Sequence, residues 1–281
     1  MKSQEWFRGA VNALRNAGIS YPEKEVQEML SAIGINRVEL FKENPILNTD
    51  ELKKLNEFIE RRKKREPLQY ILGYTYFLDL KIKTHSGVLI PRPETELLVI
   101  EVVKEVEKAG LKASVILDLC TGTGAIALGI GNLLKDSIVY GVDISEKAIS
   151  IARENAKING IKNVIFLQGN LFDPVKDRKF DIITANPPYI KTGEMKDLEP
   201  EVKDWEPLEA LNGGEDGLKF YRIIITEAPM YLKKNGLLFL ELGVGLYKEV
   251  TSLAKLNRFT ELSIVKDLNG IERILKAKFS G

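Results

Sequence analysis

The residues that point most directly to chemistry lie in one stretch, F-D-I-I-T-A-N-P-P-Y-I, from Phe180 to Ile190. The apolar run before Asn186 predicts a buried strand. Pro187 and Pro188 then force the chain out of the sheet, because proline donates no ladder hydrogen bond. The Asn186 side chain and a backbone carbonyl fixed by the following proline offer two acceptors for one planar NH2 group, and Tyr189 adds a flat ring beside it. Such a nitrogen is a poor nucleophile because its lone pair is delocalised, and accepting both N–H bonds would direct that lone pair toward an electrophile.

A glycine turn follows the first strand of an alternating strand and helix pattern. The buried strand Val115–Leu119 leads into Cys120-Thr121-Gly122-Thr123-Gly124, and a helix is predicted from there to Leu134. Asp143 ends the next predicted strand, nineteen residues after Gly124. This spacing fits the dinucleotide fingerprint of a nicotinamide dehydrogenase. It fits an adenosine-bearing methyl donor equally well, because both ligands need an acid for ribose hydroxyls and a closely approaching glycine backbone.

Three features favour the methyl donor over the dinucleotide. Asp118 precedes the loop, where an acid suits a cationic amino group better than a pyrophosphate. Asn170 follows the third strand and could hydrogen-bond an adenine, although a plain turn asparagine is equally compatible with its position. The motif at Asn186 has no role in hydride transfer.

The composition of the chain excludes several classes of protein. The chain has 281 residues, of which 44% are hydrophobic, and this length favours two domains. With 41 basic and 40 acidic residues the net charge is +1, which gives no general electrostatic case for nucleic acid as a direct substrate. The single cysteine fits a reducing cytoplasm, and the first residues show an amphipathic pattern and no apolar signal segment. One histidine and one cysteine exclude the familiar zinc sites, and no motif indicates a magnesium site built from carboxylates alone, so we expect no metal.

The order of patterns along the chain predicts a helical segment followed by an α/β domain. Helical periodicity is present at residues 4–18, 22–33, 37–42 and 49–65, and the last of these ends in the basic run Arg61–Arg65. That run is compatible with nucleic-acid contact, and also with the preference of a helix carboxyl end for positive charge. Between Tyr74 and Pro91 the residues alternate, with Tyr76, Leu78, Leu80 and Ile82 against Thr75, Phe77, Asp79 and Lys81. Ser86-Gly87 and the apolar run Val88-Leu89-Ile90 follow, and together these patterns predict a β-hairpin. I-P-R-P-E-T-E (90–96) then opens a helix, where Arg92 and Glu94 are either solvated or presented to the cleft.

Seven strands are predicted in the second part of the chain, which indicates a Rossmann-like, largely parallel sheet. After the two strands already named, they lie at 164–167, 182–185, 237–242, 261–266 and 273–279. Helices are predicted after Ser145, which is placed to cap the first of them, and at 218–232 and 247–256.

Five blocks together resemble the class I S-adenosylmethionine-dependent methyltransferases, and within them the HemK/PrmC-type glutamine methyltransferases of peptide chain release factors. They are E-P-L-Q-Y-I-L-G (66–73), I-P-R-P-E-T-E (90–96), D-L-C-T-G-T-G-A-I-A-L (118–128), N-P-P-Y-I (186–190) and N-G-I-E-R (269–273). N-P-P-Y alone is shared with DNA and RNA amino-methyltransferases, and the I-P-R-P block narrows the resemblance. Cys120 departs from the family pattern, which usually has glycine there.

The resemblance implies a helical substrate-recognition domain at 1–73, a β-hairpin linker at 74–92 and a seven-stranded class I methyltransferase domain at 93–281. It implies methyl transfer from S-adenosylmethionine to the glutamine amide of a Gly-Gly-Gln loop in class I release factors. The implied catalytic residues are Asn186, Pro187, Pro188 and Tyr189, in which Asn186 and the Pro187 carbonyl hold the amide and Tyr189 packs on the substrate. The implied cofactor-binding residues are Asp118, Cys120, Thr121, Gly122, Thr123, Gly124, Asp143 at the ribose, Asn170 with Leu171 at the adenine, and Asn186.

Three alternatives stand beside this hypothesis. An adenine or cytosine amino-methyltransferase would prefer DNA or RNA as its acceptor. A dehydrogenase would bind a nicotinamide cofactor tightly. A non-catalytic module with a Rossmann-like fold would lose nothing on Asn186→Ala.

Overall fold

The computed structural model describes residues 1–110 and 113–281, which form two compact units. One unit comprises Met1–Tyr74 and Glu199–Trp205, and the other Thr75–Leu198 and Glu206–Gly281. The described helices are α1 (Ser3–Asn16), α2 (Pro22–Ser31), α3 (Thr49–Lys63), α4 (Leu68–Leu72), α5 (Glu96–Lys108), α6 (Ala125–Leu133), α7 (Glu146–Ile158), α8 (Pro200–Lys203), α9 (Lys219–Tyr231) and α10 (Tyr247–Leu256). The strands are β1 (Tyr74–Phe77), β2 (Leu80–Lys83), β3 (Val115–Leu119), β4 (Ile138–Asp143), β5 (Val164–Gln168), β6 (Phe180–Ala185), β7 (Leu232–Glu241), β8 (Phe259–Lys266) and β9 (Glu272–Phe279).

The first unit is helical, and its helices share one apolar core that includes Leu14, Met29 and Leu55. The three long helices lie where the sequence predicted them. The expected short helix at 37–42 is a π-helical turn at Glu39–Glu43. The helices α4 and α8 have only five and four residues, too few to show a helical period in the sequence.

The basic run at the end of α3 forms ion pairs within this unit. Arg62 is buried, and its guanidinium donates to Glu25 at 2.6 Å and to Glu201 at 2.8 Å. Arg61 pairs with Glu66 at 2.5 Å. These contacts support the structural interpretation of the run over nucleic-acid contact.

The second unit is built on the predicted seven-stranded sheet, in the order β5-β4-β3-β6-β7-β9-β8. The first five strands of that order are parallel, while β9 is antiparallel to both β7 and β8. Both faces of the sheet are covered: α5, α6 and α7 pack on one face, and α9 and α10 on the other. The α/β fold class predicted from the sequence is therefore confirmed. A sheet buried on both faces explains why β3 and β6 read as continuous apolar runs.

The hairpin differs in detail from its prediction. β1 and β2 pair as a separate two-stranded sheet, and Leu78 between them has a φ of +50°. This turn interrupts the period of two, so that Phe77 is buried and Tyr76 is exposed, the reverse of the predicted faces. Val88–Ile90 does not form a strand, and the amide of Ile90 donates to the Glu206 carboxylate at 3.3 Å.

The strand β7 begins five residues earlier than predicted, at Leu232. Lys233–Gly236 reads as a turn in the sequence, and Asn235 has a positive φ of +63°. The strand absorbs this segment as an irregularity, since its pairing with β6 jumps from Phe180↔Leu232 to Ile182↔Leu237.

Candidate active site

The register of three strands brings the glycine turn, Asp143 and Asn186 to one edge of the sheet. Leu119, the last residue of β3, pairs with Val142 on β4 and with Ala185 on β6. The chain runs from β3 outward to β4 and β5 and then returns to the other side of β3 as β6. Ligands of open α/β sheets bind at such a switch point, outside the carboxyl ends of the strands.

The glycine turn approaches the cavity with its backbone. Gly124 caps the amino end of α6 with a φ of +82°, and Gly122 has a φ of +54°. A Cβ on Gly124 would lie 2.8 Å from the Phe166 ring, so this position requires glycine. A Cβ on Gly122 would meet nothing within 4 Å, which leaves open space beside that backbone.

Cys120 adopts a φ of +57°, the left-handed conformation that glycine takes without strain. The family pattern places glycine here, and the backbone of this chain keeps the glycine-like conformation despite the side chain. Burial raises the pKa of the Cys120 thiol, with smaller contributions from the charges of Asp143 and Asp118. The thiol is therefore protonated and unreactive at neutral pH.

Asp118 lies beneath the turn and has no exposed surface. Its carboxylate accepts hydrogen bonds from the hydroxyls of Thr121 at 2.5 Å and Thr184 at 2.9 Å. Burial raises the pKa of Asp118 to about 7, and these hydrogen bonds oppose that rise. Asp118 supports the turn through Thr121, and the expected contact with a cationic amino group stays a prediction.

Asp143 presents its carboxylate to the cavity in a fixed orientation. Its two oxygens accept from the backbone amides of Gly122 and Ser145, each at 2.9 Å. Burial raises its pKa, while those backbone hydrogen bonds lower it. Each oxygen keeps lone pairs that can accept from further hydroxyls. Ser145 also caps α7 as predicted, because its hydroxyl accepts from the amide of Ala148.

Asn186 follows the last residue of β6, and its side-chain Nδ2 lies 3.4 Å from Thr95 Oγ1. Pro187 and Pro188 are buried beside it. The next residue, Tyr189, is half-buried, and burial raises the pKa of its phenol.

Three glycines hold the Tyr189 segment in place. A Cβ on Gly213 would lie 2.6 Å from Tyr189 Cα, and one on Gly217 would lie 2.5 Å from the Tyr189 carbonyl oxygen. A Cβ on Gly243 would come within 2.9 Å of the Tyr189 ring. The backbone of Ile190 also exchanges hydrogen bonds with Leu211 and Gly213. The bend after β6 is thus closely packed from behind.

A cavity of about 630 Å³ lies at this edge of the sheet, within the size range of small-molecule sites. Most of the residues expected at the site line it: Cys120, Thr121, Gly122, Thr123, Asp143, Asn170, Leu171, Asn186 and Pro188. Four of the expected residues do not line it: Asp118, Gly124, Pro187 and Tyr189. Asn170 is exposed at the cavity and Leu171 is buried there with a φ of +45°.

Arg92 also lines the cavity, which decides between the two positions left open for it by the sequence. Its guanidinium donates to the buried carboxylate of Glu206 at 2.5 Å. Glu94 points elsewhere, with its carboxylate 3.8 Å from Arg273.

Several residues at the site were not singled out by the sequence. Thr95 lies inside the I-P-R-P-E-T-E block, and Glu241 ends the apolar strand β7. The glycines around Tyr189 lie in L-N-G-G-E-D-G (211–217) and L-G (242–243), where glycine density was the available signal.

Among residues 1–110 and 113–281, none of the helices is long and apolar enough to cross a bilayer. The same residues contain no cluster of three His, Cys, Asp or Glu side chains that would hold a metal ion.

Comparison with known proteins first defines the class. Residues 111–276 match the family described as methyltransferase domain. A solved methyltransferase from Pyrococcus furiosus superposes with a TM-score of 0.54 at 17% identity, over 82% of this chain and 98% of that one. The Thermus thermophilus 16S rRNA N2 G1207 methyltransferase, in complex with AdoMet and guanosine, gives a TM-score of 0.54 at 19% identity, over 73% of this chain and 49% of that one. These two likenesses establish the fold, which is that of a Rossmann-like methyltransferase.

The amino-terminal unit and the curated relatives then identify the particular family. Residues 5–73 match the family described as PrmC N-terminal domain. The release factor glutamine methyltransferase of Thermodesulfovibrio yellowstonii is 48% identical over 98% of this chain and 97% of that protein. The protein of the same description from Geobacter sulfurreducens is 39% identical over 98% of this chain and 94% of its own length. The chain therefore belongs to the release factor glutamine methyltransferase family.

Proposed function

We propose that this protein transfers a methyl group from S-adenosylmethionine to a glutamine side chain. The acceptor is the amide nitrogen of the glutamine in the Gly-Gly-Gln loop of class I peptide chain release factors. One observation carries the proposal: Asn186 opens on the same cavity as the glycine turn and Asp143. An acceptor amide and a methyl donor held by these groups would meet in one space.

The cavity offers groups that suit an adenosine-bearing donor. Asp143 has free lone pairs for two ribose hydroxyls, and its orientation is fixed by two backbone amides. The open space beside Gly122 lets the backbone approach the ligand. Asn170 and Leu171 line the same cavity and would hold the adenine. When bound, S-adenosylmethionine supplies an electrophilic methyl carbon on a sulfonium sulfur.

The acceptor side depends on Asn186 and the backbone that follows it. Asn186 Oδ1 and the carbonyl of Pro187 would each accept one N–H bond of the glutamine amide. Tyr189 and Pro188 would limit the position of the glutamine side chain. Preorganised polar groups of this kind are each worth about 10² to 10³ in rate.

The reaction balances without a dedicated general base. A bond forms between the amide nitrogen and the methyl carbon while the carbon–sulfur bond breaks, and its electron pair stays on sulfur as S-adenosylhomocysteine forms. The nitrogen is strongly acidic once methylated, so water takes its proton. This protein contributes by orienting the glutamine amide and by preventing other orientations of the amide toward the methyl carbon.

The helical segment 1–73 supplies substrate recognition in this proposal, 74–92 is the hairpin linker, and 93–281 carries the methyl transfer. The match of residues 5–73 to the PrmC N-terminal domain supports this division. Because release factors act in translation termination, we place the enzyme in the cytoplasm.

A parallel acceptor assay tests the proposal. Labelled methyl transfer from S-adenosylmethionine is measured with purified release factor, with the same factor carrying Gln→Ala in its Gly-Gly-Gln loop, and with mixed DNA and RNA. We expect label only on the unaltered release factor. Equal labelling of both release factors, or preferential labelling of nucleic acid, would overturn the proposal.

A further inference from the structure

A short chain of hydrogen bonds runs from Asn186 into the interior of the second unit. Asn186 Nδ2 lies 3.4 Å from Thr95 Oγ1, and Thr95 Oγ1 lies 2.6 Å from Glu241 Oε2. The three residues come from the end of β6, the 3₁₀ turn Pro93–Thr95 and the end of β7. Thr95 and Glu241 are each only 4% exposed, so water does not compete for these bonds.

Counting donors fixes the direction of this chain. The hydroxyl of Thr95 has one hydrogen, and an ionised carboxylate accepts hydrogen bonds without donating any. The hydroxyl of Thr95 must therefore donate to Glu241, which leaves only its lone pairs for Asn186. The Asn186 group facing Thr95 must accordingly be its NH2, and its Oδ1 is left facing the cavity.

We propose that Glu241, acting directly and through Thr95, is a positioning residue that holds the Asn186 amide with its oxygen toward the methyl acceptor. This inference rests on the proposed function, because only an NH2 acceptor needs that oxygen. A flipped Asn186 would present a donor to the glutamine NH2, and the two donors would repel.

Some of the groups around the Glu241 carboxyl raise its pKa and others lower it. Burial raises the pKa of Glu241 to about 7, and the hydrogen bond from Thr95 opposes that rise. Arg273 on β9 lowers this pKa, Glu94 raises it, and a hydrogen bond from the Asn186 side chain also lowers it. The phenols of Tyr189 and Tyr221 also lie near the carboxyl group, and Tyr221 donates to the backbone oxygen of Glu241 at 2.7 Å.

When Glu241 is protonated, the directions of the hydrogen bonds from Asn186 to Glu241 are no longer fixed. A neutral carboxyl group carries its own O–H, so the hydroxyl of Thr95 no longer has to donate to it and can turn its hydrogen toward Asn186. The amide is then free to flip. Methyl transfer should fall as the pH drops through about 7, where Glu241 takes up its proton.

The first experiment compares Thr95→Val, Thr95→Ser and Glu241→Gln with the wild type, using release factor as acceptor. We expect Thr95→Val to lower kcat about 10- to 100-fold, as loss of an orienting hydrogen bond does at other sites, and to leave the Kd for S-adenosylmethionine unchanged. Thr95→Ser keeps the hydroxyl and should restore most of the rate. Glutamine at position 241 is neutral at every pH, so Glu241→Gln should show the lowered rate throughout and no further fall on the acid side of pH 7. Thermal unfolding of each variant separates a loss of fold from a loss of rate.

A second experiment needs no acceptor. The side-chain amide ¹⁵N–¹H resonances of Asn186 are followed between pH 5.5 and 8.5 in the wild type, Glu241→Gln and Thr95→Val. We expect them to shift with the titration of Glu241 in the wild type, to shift less in Thr95→Val, and not to shift in Glu241→Gln. If the wild type failed to methylate release factor but its Asn186 resonances followed Glu241, the proposed function would fail while the hydrogen-bond chain stood. The positioning role would be overturned if folded Thr95→Val had the rate and pH profile of the wild type. It would also be overturned if the Asn186 resonances of the wild type did not shift as Glu241 titrates.

Discussion

Replacing Asp118 by asparagine should make the stability of this protein less dependent on pH. The carboxyl group of Asp118 is fully buried beneath the glycine turn, and burial raises its pKa from the ordinary 3.8 to about 7. The folded state therefore binds this proton more tightly than the unfolded state does. The resulting stability is complete below about pH 4 and is lost as the pH rises to 7.

The magnitude follows from the difference in pKa. Each unit of pKa difference corresponds to about 1.4 kcal/mol, so Asp118 should remove roughly 4 kcal/mol of unfolding free energy between pH 4 and pH 7. The asparagine side chain has nearly the same shape as that of aspartate and carries no charge at any pH. Its amide can still accept from one threonine hydroxyl and donate to the oxygen of the other. The Asp118→Asn variant should therefore gain on the wild type by about 1.4 kcal/mol for each pH unit in this range.

Urea unfolding at several pH values between 4 and 8 measures this difference. Asp216→Asn is the matched control, because Asp216 is exposed and a hydrogen bond from Arg222 lowers its pKa to about 2. Above about pH 5 that carboxyl group is ionised in both the folded and the unfolded state, so from there its variant should run parallel to the wild type. Parallel curves for Asp118→Asn and the wild type would refute the reasoning, since they would mean that Asp118 titrates as an exposed carboxyl group does.

Four further substitutions test the site. Asn186→Ala should lower kcat about 10²- to 10³-fold, and an unchanged kcat in steady-state assays would contradict its role. Asp143→Ala should weaken S-adenosylmethionine binding by about 1.5 to 3 kcal/mol in calorimetry, through lost hydrogen bonds to a charged group, whereas equal affinity would remove the ribose assignment. Gly213→Ala should slow transfer because its Cβ would clash with backbone at 2.6 Å, while Gly193→Ala, with nothing within 4 Å, serves as the control and should not. Cys120→Gly should keep full activity and raise stability by up to about 1 kcal/mol in urea unfolding through relief of the left-handed backbone, and a loss of activity would mean that the side chain is needed.

The sequence predicted the sheet well because its strands are buried on both faces. Apolar runs such as Val115–Leu119 and Ile182–Ala185 have few other structural solutions, and the proline pair fixes where the second of them ends. The position of Asn186 beside the glycine turn followed from the strand order of a doubly wound sheet. The hairpin was predicted less well. Alternation alone puts Tyr76 on the buried face with Leu80 and Ile82, but the turn at Leu78 leaves Tyr76 exposed and Phe77 buried.

The support behind the site depends on contacts that are distant in sequence. Thr95 meets Glu241 across 146 residues, and neither carries a local pattern that reveals the contact. The glycines that hold Tyr189 lie in two separate segments, 211–217 and 242–243, and only the folded backbone shows at which of them a side chain would clash. Asp118 could be recognised as an acid near the loop, but its burial under Thr121 could not.

The most direct test of the central claim is to locate the methyl group on the product. Release factor is incubated with this protein and S-adenosylmethionine, digested, and sequenced by tandem mass spectrometry. The proposed chemistry predicts one added methyl group, on the side-chain nitrogen of the Gly-Gly-Gln glutamine, and none when Asn186→Ala replaces the wild type. A methyl group on any other residue, or an equal yield from the variant, would contradict it.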